Sequence, residues 1–161
     1  MAESSKPKIV TPPNTLKSKV GVGGPKAVDP AALERAEEAI ANLAGDYLDW
    51  VQEDIKKLEE ALNALKASDG GDKDLLGAIF QVAHEIKGQG GSFDYDLMTQ
   101  IGNQLCHFVE NLAEAGAPET EVISLHVDAL KLVFAKRMRG DGGQAGQALL
   151  RGLEQIVSKI G

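Results

Sequence analysis

An apolar stripe runs along residues 29–67, which read DPAALERAEEAIANLAGDYLDWVQEDIKKLEEALNALKA. Its members recur at steps of three or four and are Leu33, Ala36, Ile40, Leu43, Tyr47, Val51, Ile55, Leu58, Leu62 and Leu65. This spacing keeps one side of an α-helix apolar, and Asp29 followed by Pro30 is typical of a helix start. Because glycine is a weak helix former, the stripe predicts either one very long helix or two helices with a break at Gly45.

Four shorter helical patterns follow the long stripe. We expect them over about residues 72–90, 95–115, 119–139 and 144–160. Clusters of glycine with serine, aspartate or proline separate the patterns, and no window alternates with a period of two, so no strand is predicted. Short connections favour antiparallel neighbours. Residues 29–161 are therefore predicted to be all-α, an up-and-down antiparallel helical bundle with a four-helix core plus an N-terminal helix.

Residues 1–28 differ from the rest of the chain in charge. They hold five lysines against one acidic residue, whereas the chain as a whole has a net charge of -7. This segment has few large apolar side chains and cannot build a core, so it is predicted to be a disordered, flexible basic tail. A solubilising leader is favoured over a segment that contacts nucleic acid or a membrane. The acidic balance disfavours nucleic acid as a partner of the whole chain.

Composition also bears on the compartment. No apolar run approaches the roughly 18 residues of a membrane span. The N-terminus lacks the apolar stretch of a secretory signal, and the single cysteine, Cys106, cannot form an intramolecular disulfide. A cytoplasmic location is therefore expected.

Residues 83–93, AHEIKGQGGSF, are the most informative about function. In a helix with 3.6 residues per turn, His84 lies opposite an apolar stripe and is expected to face solvent. The stripe consists of Leu75, Ile79, Val82 and Ile86. The residues expected around His84 on the outer face are Gly77, Phe80, Gln81, Lys87, Gly88 and Gly91. Glycine leaves a helix backbone bare, so this face, extended by Ser92, is predicted to dock a protein partner.

The outer face suggests phosphoryl chemistry. A neutral imidazole is a nucleophile that needs no neighbouring base, and His84 is the candidate acceptor. Lys87 is three residues further along the helix, on the same side, where its ammonium would offset the charge of a phosphoryl group. Phe80, four residues before His84, is expected to offer an apolar contact to the partner.

His84, Lys87 and Gly88, followed by the small residues Gly91 and Ser92, resemble the His-x-x-Lys-Gly motif of histidine-containing phosphotransfer (HPt) domains. The stretch is similar also to the phosphoryl-accepting domain of chemotaxis histidine kinases. The resemblance implies a phosphorelay protein. It would accept a phosphoryl group on His84 from a kinase or a receiver-domain aspartate and pass it to a response regulator.

The same resemblance implies the partners, which are the receiver domain of a response regulator and a histidine kinase, hybrid kinases included. We recognise no ATP-binding segment, so a phosphorelay carrier without autonomous kinase activity is expected. No cofactor is expected to bind to the chain itself, and Mg²⁺ is expected on the receiver domain of the partner. Members of the family often have glycine where Asp94 stands, and Gln or Glu at the position of Cys106 to orient the imidazole. Gln104 is the candidate for that orienting role here.

Other chemistries do not fit the spacing. Cys106 and His107 are adjacent and would point to different sides of a helix, and Gly88 stands where a zinc-protease motif begun by His84 would need its second histidine. No metal site is predicted, and His107 and His126 are expected to be structural or surface residues. The alternative function is a non-catalytic helical adaptor or scaffold with a degenerate phosphotransfer site. A plain scaffold has no need of a glycine-lined histidine, which favours phosphotransfer.

Overall fold

The computed structural model describes residues 29–68 and 72–160. It contains five α-helices and a short 3₁₀ turn, with no strand among these residues. The elements are α1 (Pro30–Ala67), α2 (Lys73–Gly90), the 3₁₀ turn (Gly91–Phe93), α3 (Asp96–Glu110), α4 (Ala117–Ala135) and α5 (Gly143–Ile160). The prediction of an all-α, up-and-down bundle is confirmed. The predicted basic tail, residues 1–28, lies outside the described residues.

Helix α1 is continuous, so the break considered at Gly45 does not occur. A side chain added at Gly45 would meet no atom within 4 Å. The described residues divide into two units, and the second begins at Ala44. In the first unit, the described part of α1 exposes Ile40. In the second, α1 buries Tyr47 and a row of aliphatic residues that follows it.

Three helix boundaries differ from the predicted ones. Helix α3 ends at Glu110, before the expected residue 115, because Asn111 leaves the helical conformation and its side-chain nitrogen donates a hydrogen bond to the His107 carbonyl at 2.8 Å. Helix α4 ends at Ala135 instead of residue 139, since Arg137 adopts a left-handed backbone with φ 49°. Helix α4 also begins earlier than expected. The Glu119 side chain accepts a hydrogen bond from the backbone N–H of Gly116 at 2.9 Å and closes that helix end.

The core of the second unit is aliphatic, as the low aromatic content suggests. Helix α3 packs against α2, α4 and α5, and it buries nearly all of its apolar residues. On α2 the buried stripe is turned from the predicted one. Leu76 and Ala83 are buried with Ile79 and Ile86, whereas Leu75 and Val82 are only half-buried.

Two glycines allow α2 and α3 to approach closely. A Cβ at Gly90 would lie 2.5 Å from Thr99 Oγ1 and 2.7 Å from the Tyr95 carbonyl oxygen. A Cβ at Gly102 would lie 3.1 Å from the Lys87 backbone nitrogen, tighter than ordinary van der Waals contact. The Thr99 hydroxyl donates a hydrogen bond to the Lys87 carbonyl at 2.9 Å. The backbone of α3 therefore lies directly against the part of α2 that carries the motif.

The loop between α4 and α5 holds the connection between α2 and α3. Asp94 has a left-handed backbone with φ 66°, a conformation that aspartate tolerates better than most residues. Its carbonyl accepts a hydrogen bond from the Gly140 N–H at 2.7 Å, and the Gly140 carbonyl accepts one from the Leu97 N–H at 2.8 Å. Arg139 adds an ion pair with the Asp94 carboxylate at 3.2 Å. The turn at the end of the motif is thus fixed from a distant part of the chain.

We expect Gly90→Ala to lower the free energy of unfolding by about 1–3 kcal/mol, because the new methyl group would overlap the Tyr95 carbonyl. The matched control is Gly45→Ala, which has open space and should gain up to about 1 kcal/mol from better helix propensity. Urea unfolding followed by circular dichroism measures both. Equal effects of the two substitutions would contradict a close α2–α3 contact.

Candidate functional site on helix α2

Helix α2 positions the motif from its first residue. The side chain of Asp72 accepts a hydrogen bond from the Asp74 N–H at 2.8 Å and caps the helix, which then runs unbroken to Gly90. His84 and Lys87 therefore lie on regular helix, three residues apart and on the same side. The predicted start and end of this helix are confirmed.

His84 is exposed, and the side chains around it are sparse. Of the predicted docking residues, Gly77, Gln81, Gly88, Gly91 and Ser92 are exposed, while Phe80 is half-buried. A Cβ placed at Gly77 or Gly88 would meet no atom within 4 Å. These two glycines are therefore not required for packing within the described residues, and they leave bare backbone next to the imidazole.

Lys87 is half-buried and is held by α3 through its backbone. Its carbonyl accepts the Thr99 hydroxyl, and its N–H region lies against Gly102. Burial raises the pKa of the Cys106 thiol, and the positive charge of Lys87 partly opposes that shift. Lys87 thus has its backbone against α3, and its side chain leaves α2 on the same side as His84.

Cys106 occupies the position from which the resemblance expects an imidazole-orienting group. It is buried, and its sulfur lies 3.8 Å from the Phe80 carbonyl oxygen, where the thiol donates a weak hydrogen bond. Because burial raises its pKa, the thiol keeps its proton and can donate it to the Phe80 carbonyl of α2. Among the described residues no hydrogen bond to the His84 ring is found. The ring closest to it is that of Phe80, with centroids 5.9 Å apart and planes inclined by 31°.

The structure places the Gln104 amide on His126 and not on His84. His126 is fully buried, with Nδ1 2.8 Å from the Val122 carbonyl oxygen and Nε2 3.0 Å from Gln104 Oε1. Burial lowers the pKa of His126, so the ring is neutral and has a single N–H. The Val122 carbonyl oxygen and Gln104 Oε1 are both acceptors, so the single N–H of the ring donates to only one of them. His126 is thus a structural residue, as expected, and His107 lies on the surface.

Sequence reasoning missed three residues that support the site. Gly90, Thr99 and Gly102 bring α3 against the backbone of α2, and none of them was a candidate. A glycine in the middle of a strongly amphipathic helix was the available signal for Gly102, because such a residue costs helix stability unless another backbone lies close. For Thr99 no signal was available, since a half-buried threonine is common in helices.

The charges of Asp54 and Glu85 interact. Asp54 on α1 is buried, and its pKa is raised first by burial and then by the nearby charge of Glu85. Lys57, 3.8 Å from Asp54, opposes this shift.

In the residues that the structure describes, no three His, Cys, Asp or Glu side chains come together as a metal site would require. Within the same residues, no helix combines the length and apolarity needed to cross a membrane.

The described residues define an all-α bundle whose second helix exposes a histidine beside a half-buried lysine. The family model of the Hpt domain matches residues 42–157, a span that includes this helix and all residues around His84. The chain therefore belongs to the Hpt domain family, whose members serve histidine phosphotransfer in phosphorelays and interact with kinases and response regulators. No curated protein and no solved structure matched the chain.

The buried His126 makes stability depend on pH. Because its pKa is lower in the folded chain than the ordinary 6.5, the unfolded chain binds the additional proton more readily. The stability that the neutral ring contributes is present above that value and is lost as the pH falls below it, by up to about 1.4 kcal/mol per pH unit. Unfolding measured between pH 8 and 5 should show this loss in the native chain. His126→Gln should be less stable at pH 8 and should lose that pH dependence, and an unchanged dependence would refute the assignment.

Proposed function

We propose that His84 accepts a phosphoryl group from a kinase or a receiver-domain aspartate and passes it to a response regulator. The observation that carries this proposal is the exposure of His84 on α2 beside Lys87, with open glycine backbone around it. Membership of the Hpt domain family supplies the class of reaction. The roles given to single residues are inferred from their geometry.

The transfer from a receiver needs one nucleophile and no base from this chain. The lone pair of one imidazole nitrogen attacks the phosphorus of an aspartyl phosphate on the receiver. The N–P bond forms as the bond between phosphorus and the aspartyl oxygen breaks, and the aspartate leaves as a carboxylate. The other ring nitrogen releases its proton to solvent. Transfer to the next receiver reverses these steps, with a receiver carboxylate as the nucleophile.

Lys87 is proposed to stabilise the phosphorylated imidazole. The phosphoryl group brings about two negative charges to a surface that has no other cation on the same turn of α2. A charge-assisted contact with the ammonium would offset part of that charge. Because α3 fixes the Lys87 backbone through Thr99 and Gly102, only the flexible end of the side chain has to move toward the phosphoryl group.

The exposed glycines are proposed to admit the receiver. A receiver must bring the phosphorus of its aspartyl phosphate to within bonding distance of the imidazole, and the acidic residues and Mg²⁺ expected around that phosphate must come close with it. Side chains at Gly77 and Gly88 would project into that space, whereas bare helix backbone does not. Gln81, Gly91 and Ser92 are exposed around the same surface and are available for polar contacts with the partner.

The first test replaces the acceptor. Incubated with a panel of phosphorylated receiver domains, the native chain should take up acid-labile label, and His84→Gln should take up none, because no other exposed histidine lies on α2. His107→Gln is the matched control, since it removes an exposed histidine from α3 and should be labelled at the native rate. Label on His84→Gln would refute the proposal. A native chain that binds receivers without taking label would support the adaptor instead.

The second test closes the docking surface. Gly88→Leu should block transfer from the receiver, because the new side chain would project into the space that the receiver occupies. It should also raise the free energy of unfolding by up to about 1 kcal/mol, because leucine is the better helix former and the space at Gly88 is open. Gly152→Leu is the matched control on α5, also open, and should gain stability without loss of transfer. Thermal unfolding and transfer are measured on the same samples. Normal transfer with lost stability in Gly88→Leu would show that Gly88 serves packing.

A further inference from the structure

The imidazole of His84 has an aromatic neighbour one helical turn away. The Phe80 and His84 ring centroids are 5.9 Å apart with an interplanar angle of 31°, within the range in which aromatic side chains pair. The two rings differ in mobility, because Phe80 is half-buried and packs against the core, while His84 is exposed. The Phe80 ring is therefore the fixed member of the pair.

Two polar side chains of α3 are committed elsewhere. The Gln104 amide contacts His126, and the Cys106 thiol donates to the Phe80 carbonyl. Among the residues that the structure describes, no hydrogen bond or ion pair to the His84 ring is found. An exposed histidine without such a partner would sample several rotamers. The Phe80 ring is the contact that limits them.

We infer that Phe80 is a positioning residue that orients the His84 imidazole for phosphoryl transfer, an inference that rests on the proposed function of His84. Contact through the ring face restrains the imidazole and leaves both nitrogens free. One nitrogen keeps its lone pair for the attack, and the other can lose its proton to solvent. A hydrogen bond to either nitrogen would orient the ring but would occupy one of these two groups.

Helix α3 also holds the backbone of Phe80 in place. Cys106 contacts the carbonyl of Phe80, so the residue at the position from which the resemblance expects an orienting group holds the backbone from which the Phe80 ring projects. The orientation of the imidazole matters most when a receiver is docked. The docked receiver fixes the position of the phosphorus, and the attacking nitrogen must lie in line with the P–O bond that breaks. A small phosphodonor in solution can approach the ring from any side, so its reaction does not depend on orientation.

The first experiment detects the contact between the Phe80 and His84 rings by a measurement that does not involve phosphoryl transfer. In the full chain, the His84 ring protons should show an aromatic ring-current shift by NMR. Phe80→Leu should lose this shift, and Phe80→Tyr should keep it because the ring remains. Phe134→Leu is the matched control, a half-buried phenylalanine on α4, and should leave the His84 signals unchanged. His84 signals that are identical in Phe80→Leu and the native chain would overturn the inference.

The second experiment separates positioning from docking. With a phosphorylated receiver in single turnover, Phe80→Leu should lower the saturating transfer rate by about threefold to tenfold at an unchanged half-saturating receiver concentration. Labelling by phosphoramidate, a small donor without a docking surface, should keep its native rate, and Phe80→Tyr should restore receiver transfer. Phe80→Met, which fills similar space without a ring, repeats the test if the leucine variant folds poorly.

Two other outcomes would overturn the inference. An unchanged saturating rate with a raised half-saturating concentration would make Phe80 a docking residue. An unchanged rate and concentration would give it no role in transfer. Failure of the proposed function is distinguishable from both, because the native chain would then take no label on His84 from either donor, and the positioning role would fall with it.

Discussion

Helices α2 and α3 meet at two glycines, and the surface around His84 depends on that contact. Gly90 leaves room for the Tyr95 carbonyl and the Thr99 hydroxyl, and Gly102 lets α3 lie against the backbone of α2 at Lys87. Most of these neighbours are backbone atoms. Unlike the end of a flexible side chain, they cannot rotate away from a Cβ added at either glycine. The close approach covers one side of α2 and leaves the side that carries His84 open.

Two polar side chains of α3, Thr99 and Cys106, hold the backbone of α2 and form no hydrogen bond with the imidazole. Thr99 donates to the Lys87 carbonyl and Cys106 to the Phe80 carbonyl, and each carbonyl has a second lone pair available beyond its helical hydrogen bond. The backbone below the site is therefore held in place, while the surface above it stays accessible. This division suits the role proposed for His84, because a rigid base limits the ordering that docking of a protein partner requires.

Local signals in the sequence predicted much of the fold and the direction of His84. The helical pattern over about residues 72–90 agrees with the bounds of α2, and the outward direction of His84 followed from the helical period. The end of α3 was placed too late, because apolar residues continue past Asn111 and their period does not show that the Asn111 side chain turns back to the backbone. Gln104 was a candidate partner of His84 by position, yet it faces the buried His126.

The sequence by itself determined the helical class, the long α1 stripe and the histidine–lysine–glycine spacing, since these depend on residues within a few turns of one another. The tertiary structure decided which side of α2 is covered, with Ala83 buried and Val82 only half-buried. It also decided which polar groups reach the site. Both outcomes depend on how closely α3 approaches, and that distance is set by contacts of Gly90 and Gly102 with the neighbouring helix, which no local period encodes.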